Sequence, residues 1–215
     1  MPRDNAAKLT PSKKGSGKPK GGGKDKAALD LKEFEEAKRI NNDTIICAER
    51  LISVLRSGGV PESSLKDLKQ CSVAKVAETA IDGVHEIDKQ QINDVINALT
   101  QADRAADEAW SFSLYFPALN VDELLHVLSE FRSLLCNRAT LARTSVQRKL
   151  ADIRSDPKAE ATVLDTWTKA EKQVNDVVTK CKMGASKVRV LLAVTKESQN
   201  VESKPTEEIS VTQTS

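Results

Sequence analysis

Between Leu164 and Leu192, nine positions at alternating spacings of three and four residues carry eight apolar side chains: Leu164, Trp167, Val174, Val178, Cys181, Ala185, Val188 and Leu192, with Glu171 the exception. Such spacing lines one face of an α-helix, whereas a strand would scatter the same residues over two faces. A seam this regular needs another helix to cover it, packed in the manner of a coiled coil. The covering helix belongs either to this chain or to another protein. Those eight residues are therefore a candidate partner seam, with self-association one form of it and intramolecular packing the alternative.

The rest of the chain supplies helices to pack with. A first helix is expected from Ala28 to Arg56, with Leu31, Phe34, Ile45, Ala48, Ile52 and Leu55 on one apolar line and Ile40, Cys47, Leu51 and Val54 on a second. Two lines mean contact on more than one side, and Ser57-Gly58-Gly59 supplies the stop. A second stretch covers Glu62–Thr79. A third runs from Ile87 to Tyr115, where Pro117 forces a corner. A fourth begins at Asn120, three residues before Glu123, the spacing of a capping box. The fifth is expected to open at Asp156-Pro157. Aromatics make up only 3% of the chain, which disfavours β-sandwiches and barrels. The expectation is an all-α fold over residues 28–197: an elongated four- to five-helix bundle with coiled-coil-like packing.

Both ends differ in composition from this body. Residues 1–27 hold five of the nine glycines and eight positive side chains, Lys13, Lys14, Lys18, Lys20, Lys24 and Lys26 among them, against Asp4 and Asp25. The segment carries +6, although the whole chain is only +2. Too little apolar surface is available there to offset ordering the chain, and the same holds for the Ser/Thr/Glu-rich residues 198–215. Both are expected to be disordered tails, and the basic one suits nucleic acid, an acidic protein face or anionic lipid.

No catalytic signature is present. The two histidines, His85 and His126, share no motif with a nucleophile, and Gly21-Gly22-Gly23-Lys24 lacks the strand and the Ser/Thr of a phosphate-binding loop. The four cysteines, at 47, 71, 136 and 181, show no C-x-x-C spacing. The expectation is a non-enzyme without metal or cofactor. No apolar run reaches membrane-spanning length, and no apolar segment follows the N-terminal charges as in a secretory signal. An intracellular setting, cytoplasmic or nuclear, is expected.

Residues 132–154 contain Arg132, Arg138, Arg143, Arg148, Lys149 and Arg154 against one acid, Asp152. Arg132, Arg143 and Arg154 are eleven residues apart, about three helical turns, and so share a face. Arginine's planar fork suits phosphate, which makes these three, with the tail lysines, candidate nucleic-acid contacts. Pairing with acidic faces of the body is the alternative. The stretch Leu141-Ala142-Arg143-Thr144-Ser145-Val146-Gln147-Arg148 is similar to part of the rod-shaped tobamovirus coat proteins, and Asn120-Val121-Asp122-Glu123-Leu124 faintly resembles the start of the helix before it. The resemblance implies a coat-like role. It spans about 30 residues, and the aromatic-rich strands that follow in that family are absent here.

The chain ends Val211-Thr212-Gln213-Thr214-Ser215, which resembles ligands of the dynein light chain. Such segments add a strand to an exposed sheet edge. The function expected is a non-catalytic helical interaction or assembly subunit, a scaffold or adaptor binding protein partners through apolar seams. The alternative is a nucleic-acid-packaging protein, coat- or chromatin-like, built on the basic tail and the arginine-rich helix.

Overall fold

A computed structural model describes residues 22–72 and 89–202. Five helices lie within them: α1 (Gly22–Ser57), α2 (Lys66–Ser72), α3 (Lys89–Ser111), α4 (Val121–Ser155) and α5 (Ala161–Glu202). Short 3₁₀ turns precede α2 (Glu62–Leu65) and follow α3 (Phe112–Leu114). The fold is all-α, with the helices packed against one another as a bundle.

The sequence signals for helix ends act as expected at two places. At the end of α1, the Val60 amide donates to the Leu55 carbonyl at 3.0 Å and the Gly59 amide to the Arg56 carbonyl at 3.0 Å. This is a Schellman motif, and Gly59 takes its left-handed position with φ +87°. At the start of α4, the Asn120 side chain accepts from the Glu123 amide at 3.2 Å.

Several boundaries differ from expectation. The stretch expected over Glu62–Thr79 is a 3₁₀ turn and then an α-helix only from Lys66 to Ser72, with residues 73–79 outside the described ones, and α5 continues to Glu202, past the expected limit at 197. Helix α1 begins at Gly22, so Lys24 and Lys26 belong to a helix. Once Ile40 and the residues beyond it are pinned by packing, each added residue gains a hydrogen bond without a new nucleation cost. Asp156-Pro157 does not open α5; it closes a turn. Asp156 caps the end of α4, and its carboxylate accepts the Lys158 amide at 2.9 Å. Helix α5 starts only at Ala161, with the Glu160 carbonyl accepting from Val163 and Leu164.

That turn makes α4 and α5 a long antiparallel pair, about 50 and 60 Å in length at 1.5 Å per residue. It is the most extensive helix contact of the fold. Helix α1 packs along α4, and α3 packs against both members of the pair. One continuous core joins them, with Leu51 and Leu55 from α1, Ile92 and Val95 from α3, Leu124, Leu128 and Phe131 from α4, and Val174 and Val178 from α5. Helix α3 contributes Ala102, Ala105, Ala106 and Ala109 to this core.

Candidate docking groove

Arg132 projects from the middle of α4 into the space between α3 and α5, where only 2% of its side chain meets solvent. A guanidinium keeps its charge in proteins, so burial demands counter-charges. Helix α3 supplies two, one turn apart: Nη1 donates to Asp103 and Nη2 to Asp107. Asp103 is 18% exposed and Asp107 63%, so the inner pair is mostly buried and the outer one reaches water. Burial pushes the Asp103 carboxyl above its ordinary range, opposed first by Arg132 and then, beyond the repelling Asp107, by Lys187 and Lys180 of α5.

Helix α5 makes room for this clamp with a glycine. A Cβ at Gly184 would collide with the Arg132 guanidinium. The arginine thus lies under α5 at the one position where that helix has no side chain, and it ties three helices together at one level.

A groove of about 630 Å³ opens at this same level, between the C-terminal half of α3 and α5. Its floor is Arg132, Ala106 and Gly184; Trp110 and Asp107 stand on the α3 side, and Met183, Lys187, Val190 and Leu191 on the α5 side. Met183 is 57% exposed and Val190 60%, high values for apolar residues of this size. With Val194 they fall within about 40° of each other on a helical projection, a second apolar stripe opposite the buried seam.

The seam itself faces inward. Trp167, Val174, Val178, Cys181, Ala185 and Val188 are buried, and Leu164 and Leu192 are half-buried against the core. The intramolecular alternative is the one realised. The eight residues are not a partner seam in this fold, because α4, α3 and the rest of the bundle already occupy it. Burial also pushes the Cys181 thiol up to about 12, and that of Cys47 to about 12.

The three spaced arginines share α4 but not an environment. Arg132 is consumed by the clamp, Arg143 is half-buried with its Nε unpaired, and only Arg154 is exposed. A common phosphate-binding face through all three is therefore not formed: the helical register aligns them, but α3 and α5 cover the first. Lys13, Lys14, Lys18 and Lys20 lie outside the described residues, as do Val211, Thr212, Gln213 and Thr214, and His85. His126 is exposed, its Nδ1 2.8 Å from the Asp122 carbonyl.

Among the described residues no group of His, Cys, Asp and Glu could hold a metal ion, and no helix is long and apolar enough to cross a membrane. The groove residues were not singled out by sequence. The signal was available: Met183, Val190 and Val194 repeat at seven and four off the main seam, and Asp103 and Asp107 stand one turn apart among alanines. No family model, curated protein or solved structure matches this chain.

Proposed function

We propose that this protein is a non-catalytic interaction subunit that captures a helix of another protein in the groove between α3 and α5. The observation that carries the reading is the exposure of Met183 and Val190 beside Trp110, on a helix whose other face is fully employed in the core. Helix-in-groove recognition uses such a surface: apolar anchors enter, and charges around the rim set partner choice. Methionine suits this role because its unbranched side chain adapts to what it meets. The clamp beneath gives the groove a fixed floor.

This moves the expected partner surface from the Leu164–Leu192 seam to the opposite side of the same helix. A photo-crosslinking amino acid at Val190, with Ile46 on α1 as an exposed apolar control, tests it in native extract. A protein adduct is expected at 190 and not at 46. Adducts to nucleic acid, or equal protein labelling at both positions, would refute the reading and favour packaging by the basic segment and Arg154.

A further inference from the structure

The charges around the groove are one-sided. From Val177 to Lys196 the chain holds Lys180, Lys182, Lys187, Arg189 and Lys196 and no acid. The first four are exposed, and none forms an ion pair among the described residues. On the facing helix, Asp103 and Asp107 are both engaged by Arg132. Lys180, Lys182, Lys187 and Arg189 together with Arg132 make five cations against Asp103 and Asp107, and the next acids along α5 are Asp176 and Glu197, at either end of the stretch.

The four cations are also ordered. On a helical projection Lys180 and Lys187 fall on the side of the stripe shared with Gly184 and Leu191, toward α3, and Lys187 lines the groove. Lys182 and Arg189 fall about 100° away on the other side of the stripe, across the ridge. Each pair is separated by seven residues, about 10.5 Å along the helix, with Met183 and Val190 running between the pairs at the same spacing. An apolar stripe bordered on both sides by charges at seven-residue intervals is the layout by which one helix selects another.

We propose that the groove takes an amphipathic helix with Asp or Glu at seven-residue intervals on both sides of its apolar stripe. One acidic edge meets Lys180 and Lys187 in the groove, and the other meets Lys182 and Arg189 across the ridge. The proposal rests on the reading of the groove as a helix-docking surface and adds the chemistry of the partner. Unpaired rim cations make this partner attractive at long range, and a basic helix is repelled by the same charges.

The test uses the full chain with Trp167→Phe, leaving Trp110 as the only indole. The probes are three synthetic three-heptad helices with identical apolar positions, flanked by Glu, Gln or Lys. The Glu-flanked peptide is expected to shift Trp110 emission and to bind about tenfold or more tighter than the Lys-flanked one, weakening with added salt. Val190→Asp should abolish the response. Changing Lys180, Lys182, Lys187 and Arg189 together to Glu should invert the order of the peptides.

Equal binding of the Glu- and Gln-flanked peptides would overturn the charge assignment while leaving helix docking intact. No response to any of the three would overturn both. Tighter binding to phosphatidylserine vesicles or duplex DNA would identify a membrane or nucleic acid as the occupant and overturn the proposal. So would a Trp110 shift caused by deleting residues 203–215 alone, or a concentration-dependent dimer abolished by Val190→Asp, since the occupant would then be this chain's own tail or a second copy.

Discussion

Gly184→Ala sets two effects against each other, and the structure decides which prevails. Alanine in place of glycine within a helix is worth up to about 1 kcal/mol of added stability. At Gly184, however, the new methyl group meets the Arg132 guanidinium, which must leave Asp103 or push α5 away from α4. Separating a buried ion pair costs about 3–5 kcal/mol because the charges stay buried without partners. Asp107 is 63% exposed and recovers water when released, so the loss falls mainly on the Asp103 pair and near the lower bound. The net expectation is a destabilisation of about 2 kcal/mol, or about 4–8 °C in Tm for a chain of this size. Urea denaturation followed by circular dichroism measures it. In an Arg132→Ala background the obstacle is gone, and the same substitution should be neutral or stabilising by up to about 1 kcal/mol. A stabilised single variant, or equal destabilisation in both backgrounds, would refute the clamp.

Val178→Asp places a carboxylate in the closed core and should cost several kcal/mol, seen as a collapse of the helical melting transition; a folded variant that merely changes its oligomeric mass would refute the inward seam. Asn120→Ala removes the cap of α4 and should cost about 1 kcal/mol, measured in the same urea titration, and an unchanged midpoint would refute the cap. With their thiols pushed up to about 12 by burial, Cys47 and Cys181 should carry a thiolate fraction of roughly 10⁻⁴ at pH 8. Mass-mapped alkylation of the native protein should leave both unmodified long after the unfolded protein has reacted, and rapid labelling of Cys181 would show that α5 is not seated as described.

The helices were legible in the sequence because each signal was local. The glycine stop at Gly58-Gly59 and the cap at Asn120 act within a few residues and form as the spacing implies. The periodicity of Leu164–Leu192 also identified the buried face of α5 correctly, but periodicity is the same whether the covering helix is internal or foreign. Asp156-Pro157 misled for a related reason: aspartate before proline suits a helix start and a tight turn equally, and the need to reverse α4 into α5 selected the turn. The arginine stripe was legible as register and not as environment. Whether Arg132 faces phosphate or carboxylate depends on Asp103 and Asp107, 29 and 25 residues away, and on a glycine in another helix. The groove is lined by residues that three helices bring together at that clamp, and only its exposed apolar stripe leaves a trace in sequence.

Methyl NMR with the Glu-flanked peptide tests the docking surface most directly, because it reports where the peptide sits as well as whether it binds. Shift changes are expected at Met183, Val190, Leu191 and Ala106 and at the Trp110 indole, with Val174 and Val178 in the seam and Ile46 on α1 unmoved. Perturbations centred on the seam, or on Ile46, or absent at saturating peptide, would contradict a helix-docking groove between α3 and α5.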